Sequence, residues 1–259
     1  MRSGRPDEEG ERGTGPARIP DADRRVFTRA LADAMAGQEA HAVPARLCQA
    51  CVDLLDISGA SVSLSGEPGL GALWWSSDPV AAQLAEAQYS LGDGPCRSAL
   101  RLVAPVLAGD LTDRADAWRW PVFAQRALEL GVRAVFSFPL GSGAVGVGTL
   151  DLYRRAPGPL SARDMAFAFP ASDAITFALM KIQTSAEAVS DNGHDMSSWL
   201  DAAESDHAEV HYATGMVMVQ LGVDPQHALA RLRAYAFAEG RTITDVARGV
   251  IARTVRFDE

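Results

Sequence analysis

Between Val210 and Val255 apolar residues recur at helical spacing in three runs, and the residues between the runs carry cap chemistry. The first run ends at Leu221, where Gly222 supplies the left-handed conformation common just past a helix C-terminus. Asp224 offers a side-chain acceptor to the free N–H groups of the next helix, and Pro225 sits at its first position, where no donor is missed. Gly240 closes that helix, and Thr242 with Asp245 forms a T-x-x-D pair that opens a third.

Upstream the apolar period alternates between helical and strand-like. Helices are predicted over Asp21 to Met35, Val43 to Leu55, Pro79 to Gln88, Ala117 to Leu130 and Asp164 to Ile182, the last bent at Pro170. Strands are predicted over Ser61 to Leu64, Ala72 to Trp75, Val103 to Leu107, Val132 to Leu140 and Val145 to Tyr153. The turns E-P-G-L-G and G-S-G-A join strands as short hairpins, and L-G-D-G-P leads into Cys96, so an α+β sheet is favoured over a doubly wound parallel one. The polar run S-D-N-G-H-D, Ser190 to Asp195, is the natural boundary, after which Ser198 to Leu221 forms one helix. On its wheel Val210, Thr214, Val217 and Leu221 share one side, with Tyr212, Met216 and Val219 nearly opposite. Two apolar faces need two partners: the following helices for one, a second subunit or the first domain for the other.

A chain of 259 residues has material for one large or two modest domains. No stretch reads as the ~20 apolar residues of a membrane span, and the opening M-R-S-G-R-P-D-E-E-G-E-R-G-T-G-P has no signal-peptide apolar run, reading instead as a disordered tail over 1–20. Three cysteines, Cys48, Cys51 and Cys96, are too few for a disulfide framework and fit a reducing cytoplasm. A net charge of -9 argues against indiscriminate nucleic-acid binding while leaving room for a local site.

The C-terminal stretch resembles the ANTAR family of RNA-binding antitermination modules. The likeness rests on A-T-G-M-V-M at Ala213 to Met218, A-L-A-R-L-R-A-Y-A at Ala228 to Ala236, and D-V-A at Asp245 to Ala247. The region before it is similar to GAF domains of the kind fused to ANTAR in actinobacteria. The matching pieces are L-G-D-G-P-C at Leu91 to Cys96, A-P-V-L-A-G-D-L at Ala104 to Leu111, R-W-P-V-F at Arg119 to Phe123, G-V-R-A-V-F-S-F-P-L at Gly131 to Leu140 and G-T-L-D-L-Y at Gly148 to Tyr153. The resemblance implies a GAF-like antiparallel sheet flanked by helices over 21–189, a linker and the start of a connecting helix over 190–209, and an all-α three-helix module over 210–259. It also implies a cytoplasmic, signal-responsive regulator, not an enzyme, which binds RNA stem-loops in messenger leaders and prevents terminator formation. The sheet domain would act as sensor and dimerising module for a homodimer, with a small-molecule ligand of unknown identity and no other cofactor. Many ANTAR modules carry Lys where this chain has Thr214, which removes a cation from the expected RNA face.

From Asp201 onward the cations are Arg231, Arg233, Arg241, Arg248, Arg253 and Arg256, with no lysine and a larger number of acidic residues. Recognition therefore has to be local, which suits single-stranded loops whose bases stack on planar side chains. The candidate RNA-binding residues are Thr214, Gly215, Arg231, Arg233, Arg241 and Arg248. Arg231 and Arg233 flank the stripe Ala228, Leu232, Ala236 on opposite sides, and the alternative is that these arginines are solvated or paired with Asp224, Glu239 or Asp245. Gly215 inside a helix costs ~1 kcal/mol against Ala, so something should approach closely there: a neighbouring helix or the RNA. Trp74, Cys96 and Phe136 are the candidate ligand pocket in the sheet domain, although the four tryptophans Trp74, Trp75, Trp118 and Trp120 serve a core equally well. Cys48 and Cys51 form C-x-x-C within an apolar stripe and read as core; Cys96, near a helix start, is the better candidate for a reactive thiol. No metal site is expected: His207 and His211 lack the intervening Glu of H-E-x-x-H. The rival functions are a protein-docking bundle, favoured by the acidic charge, and a DNA-binding helix pair.

Overall fold

The computed structural model describes residues 20–37, 39–66, 70–142, 145–188 and 197–257. The expected tail up to residue 19, the turn at 67–69, the hairpin tip at 143–144 and the polar boundary over 190–195 lie outside the described residues.

Five strands, β1 (Gly59–Gly66), β2 (Leu70–Ser76), β3 (Val106–Ala108), β4 (Ala134–Ser142) and β5 (Val145–Arg154), form one sheet in the order β2-β1-β5-β4-β3. Every neighbouring pair is antiparallel. The period of two divides the side chains between two layers. Phe136, Phe138, Leu140, Leu150 and Leu152 join the core formed with α1 (Asp21–Met35), α2 (Val43–Leu54) and α7 (Ala162–Ala188). Val135 and Tyr153, one residue out of phase, join the core of α3 (Pro79–Leu91), α4 (Pro95–Leu102) and α6 (Pro121–Glu129). Each fully buried Leu or Phe adds ~1.5–3 kcal/mol relative to exposure, so both layers contribute to holding the sheet between helices.

Three local differences from the sequence pattern have plain causes. Val103 starts no strand: it ends α4 in the left-handed region at φ 50, and β3 begins at Val106. The single helix expected over Ala117 to Leu130 is broken into α5 (Arg114–Ala117) and α6, because Pro121 takes the first position of α6 rather than an interior one. By length and composition the segment Ala162–Ile182 of α7 is apolar enough to cross a bilayer; here Phe167, Ala171, Ile175 and Leu179 have the sheet core as their apolar partner. Pro170 lies within α7, which runs on through it.

The C-terminal helices are α8 (Ser197–Leu221), α9 (Pro225–Ala238) and α10 (Ile243–Ile251). Their caps follow the sequence reading: Gly222 and Gly240 adopt φ 62 and 63, Asp224 Oδ1 accepts from the His227 N–H at 3.0 Å, and Thr242 Oγ1 accepts from the Asp245 N–H at 3.1 Å. Val210, Ala213 and Val217 of α8 are buried against Leu232, Ile243, Val246 and Val250. The opposite face stays open, with Tyr212 71% and Val219 85% exposed.

Candidate nucleic-acid interface

The α3 helix joins the core it shares with α4 and α6 to that of the C-terminal helices. Asp78 caps its start, with Oδ1 accepting from the Val80 and Ala81 N–H groups at 2.8 and 3.1 Å and from the Tyr153 hydroxyl at 3.0 Å. Gly92 ends it at φ 65. Its last turn faces both ways. Inward, Gln88 Oε1 accepts from the Cys96 N–H at 2.8 Å. Outward, Tyr89 belongs to the C-terminal core, and Ser90 Oγ accepts from the Ile243 N–H at 3.1 Å, meeting one of the free donors at the start of α10.

Arg233 of α9 closes the same seam. Its guanidinium lies over Gly92, where any Cβ would come within 2.6 Å of Nη1, and Nη2 donates to the Tyr89 carbonyl at 3.4 Å. A cation at the carbonyl end of α3 is favoured by the helix dipole, by ~0.3–1 kcal/mol. Burial, with a contribution from the nearby Arg97, lowers the Arg233 pKa to about 10, so it remains charged at neutral pH. A cavity of about 390 Å³ opens beside it between α3, α6 and α9, lined in part by Glu86, Arg126, Glu129, Phe237 and Arg241.

The other candidate residues separate. Arg248 Nε meets Glu209 Oε2 at 2.7 Å and Arg248 Nη1 meets Asp245 Oδ1 at 3.5 Å. Arg241 Nη2 donates to the Asp245 carbonyl at 2.9 Å. Arg248 thus makes the carboxylate pairing weighed from sequence, with Glu209 as a second partner that α8 supplies and the wheel of α10 does not reveal, whereas Arg241 meets only the backbone of Asp245. Arg231 is exposed on the side of α9 away from Arg233. Thr214 is half-buried and its hydroxyl donates to the Val210 carbonyl at 2.6 Å, a bond within its own helix. Gly215 is exposed with nothing within 4 Å of an added Cβ, so of the two close neighbours the sequence allowed, a helix or the RNA, no helix is present among the described residues. The structure therefore does not bring the six residues to one surface.

In the sheet domain Trp74, Cys96 and Phe136 do not form one pocket. Phe136 and Trp74 pack in the layer of α2 and α7, whereas Cys96 belongs to α4, on the other face of the sheet with Asp151 and Ser137, the neighbour of Phe136 that points oppositely on β4. What does meet Cys96 is a buried polar group: Gln88, Ser137, Thr149 and Asp151. Thr149 Oγ1 donates to Asp151 Oδ2 at 3.3 Å, while Oδ1 has no hydrogen-bond partner among the described residues. Burial pushes the Asp151 carboxyl up to about 6, and the polar side chains of Ser137, Thr149 and Gln88 offset only part of that. Burial, and then Asp151, also push the Cys96 thiol up, which opposes the thiolate a reactive cysteine needs. Cys48 and Cys51 are fully buried, the latter pushed up to about 12. Among the described residues no three His, Cys, Asp or Glu side chains come together as a metal site.

A family model described as a GAF domain matches residues 38–180, and one described as an ANTAR domain matches residues 200–251. No curated protein matches the chain. Among solved structures, the GAF domain of a phosphoenolpyruvate-protein phosphotransferase from Acinetobacter aligns at 13% identity and a TM-score of 0.49, covering 67% of this chain and 99% of that one. The corresponding GAF domain from Coxiella burnetii aligns at 14% and 0.46, covering 64% and 96%. Free methionine-R-sulfoxide reductase from Neisseria meningitidis, solved with its substrate, aligns at 14% and 0.48, covering 65% and 96%.

Proposed function

We propose, since this chain belongs to the GAF domain family and carries an ANTAR domain behind its GAF domain, that it is a cytoplasmic regulator whose α8–α10 module binds RNA stem-loops in nascent transcripts and promotes antitermination. ANTAR domains are those of RNA-binding antitermination regulators, and GAF domains are sensor modules. Both matched domains are regulatory. The observation that carries the reading is that α3 of the sensor touches a buried polar group through Gln88 and the output module through Tyr89, Ser90 and Gly92. A ligand or proton that changes the first set of contacts would shift the second. Arg233, half-buried at that seam, then serves the coupling, and Arg241 and Arg248 belong to the RNA face only once their contacts around Asp245 are exchanged.

Self-association as a homodimer fits the exposed aromatic side chains on α7, Phe169 at 45% and Phe177 at 61% exposure. The rival reading, a protein-docking bundle, has the net charge of -9 in its favour. Cross-linking the full chain to RNA in cells and sequencing what co-purifies separates the two. Enrichment of leader hairpins that precede terminators supports the reading, and recovery of no RNA above a mock purification rejects it. An Arg248→Ala variant with unchanged affinity for a recovered hairpin would remove that residue from the site.

A further inference from the structure

We infer that the open groove between α8 and the chain that follows α10 is an RNA-loop site, in which Tyr212 stacks on a base and Arg253 and Arg256 hold the adjoining phosphates. The inference rests on the RNA-binding reading above and relocates its principal contacts.

The groove has a volume of about 530 Å³ and is lined by Tyr212, Gly215, Met216 and Val219 of α8 together with Arg253 and Arg256. Its features are turned to solvent or shape the groove itself. Tyr212 presents an aromatic ring that is 71% exposed, and Val219 beside it is 85% exposed. Gly215 weakens the middle of α8 without admitting a neighbour, since nothing lies within 4 Å of where its Cβ would be. Arg253 occupies the left-handed region at φ 60, a conformation that glycine adopts freely and arginine does not. That turn reverses the chain after α10. The Thr254 and Val255 N–H groups return to the Gly249 carbonyl, Val255 settles against Gly249, and the Phe257 N–H donates to Gln220 Oε1 at 3.0 Å. The outcome is a tail laid across the end of α8 with two arginines beside the exposed tyrosine.

Charge selects the occupant. Arg233, Arg241 and Arg248 are each engaged by protein groups, whereas Arg253 and Arg256 are exposed and their guanidinium groups meet no carboxylate or carbonyl among the described residues. The cavities along the α3 seam include carboxylates, Glu86 and Glu129 in one, Glu86 and Asp245 in the other. The groove has none among its described lining residues. On a chain of net charge -9 it is a local cationic site joined to an aromatic plane, which is the combination that grips unpaired nucleotides. A second copy of this chain fits less well, because a two-fold interface would bring the same patch, and four guanidinium groups, face to face.

The test uses the full chain and fluorescently labelled RNA hairpins with randomised loops, with blunt duplex RNA as competitor. Tyr212→Ala should weaken binding by about 5- to 150-fold, the range for loss of one base–aromatic stack, while Tyr212→Phe retains affinity. The Arg253→Gln/Arg256→Gln double variant should flatten the dependence of log affinity on log salt by about 1.4, at ~0.7 per phosphate contact on a single strand. Thermal unfolding midpoints unchanged in all variants confirm that the fold is intact. Hairpin binding by the full chain with affinity and salt slope unmoved in the variants overturns the groove and leaves the RNA-binding reading standing. Absence of any hairpin binding overturns both. Variants that alter the sedimentation mass but not RNA affinity make the groove a self-association face and overturn the inference.

Discussion

Asp151 makes the stability of the sensor domain depend on pH in a direction opposite to that of most carboxylates. Its pKa rises from the ordinary 3.8 to about 6 because the carboxyl is buried, and one of its oxygens has no hydrogen-bond partner among the described residues. The folded chain therefore holds this proton more tightly than the unfolded chain. Below pH ~4 both states are protonated and the group costs nothing. As pH rises through about 6 the folded state must ionise a buried carboxyl, and about two pKa units correspond to ~3 kcal/mol of lost stability. Asp151→Asn keeps the shape and removes the ionisation, at a cost of ~1 kcal/mol for the weaker bond with Thr149. The variant should thus exceed the natural chain in stability by ~2 kcal/mol at pH 8 and match it to within ~1 kcal/mol near pH 4. Urea unfolding followed by tryptophan fluorescence at steps between those pH values gives the difference curve, in which pH effects shared by both chains cancel. A difference that stays flat, or that grows towards acid, would refute the assignment.

Three further substitutions test other parts of the structure. Gly92→Ala places a Cβ at positive φ and displaces the flexible Arg233 guanidinium, so it should lower global stability by only ~1–2 kcal/mol while hydrogen exchange at the Ile243 amide accelerates; unchanged exchange there would separate Gly92 from the seam. Gly148→Ala brings a Cβ to the Ser63 carbonyl, which is backbone and cannot step aside, so the β1–β5 pair must shift at ~1–3 kcal/mol in denaturant unfolding. Leu232→Ala, at a fully buried position of the C-terminal core, should cost ~2–5 kcal/mol by the same measurement, and a loss under ~1 kcal/mol would mean that the three helices are not packed as described.

Much of the fold was legible because its signals are local. The caps at Gly222, Asp224, Gly240 and Thr242 stand where the residue types put them, since each depends on chain within four residues. The two long strands were read from alternation, and their ends moved by one or two residues. Val103 misled because β-branched apolar residues read as strand, while the chain needed a left-handed stop after Leu102. The candidate ligand pocket failed for a different reason. Phe136 and Cys96 were chosen for type, and only the register of β4 on β5, with Phe136 opposite Leu152 and Ser137 opposite Asp151, reveals which sheet face each residue serves. Asp151 itself stands in an alternating run that looks like a solvent-facing strand, so nothing in the sequence marks it as buried.

The arginines of the module show where sequence reasoning ends. Wheel positions separated Arg231 from Arg233 correctly, but Arg233 meets Tyr89 and Gly92 across more than a hundred residues of chain, and no periodicity encodes that contact. Arg253 and Arg256 entered the count of cations without distinction, since their placement beside Tyr212 depends on a left-handed turn at a residue type that seldom makes one. The cations fall into three groups: Arg233, Arg241 and Arg248, held by α3 or by Asp245 and Glu209; Arg231, exposed on the far side of α9; and Arg253 and Arg256, which face the groove with no protein partner among the described residues. The division would make an acidic chain compatible with an RNA ligand, because the groove is shaped by the module's own fold while the sheet domain meets the module through α3 and through β2 against α8. A sensor signal acting at Gln88 would move Ser90 and Arg233 without disturbing the turn at Arg253. Control of the module and contact with its ligand would then rest on different residues, open to separate mutation.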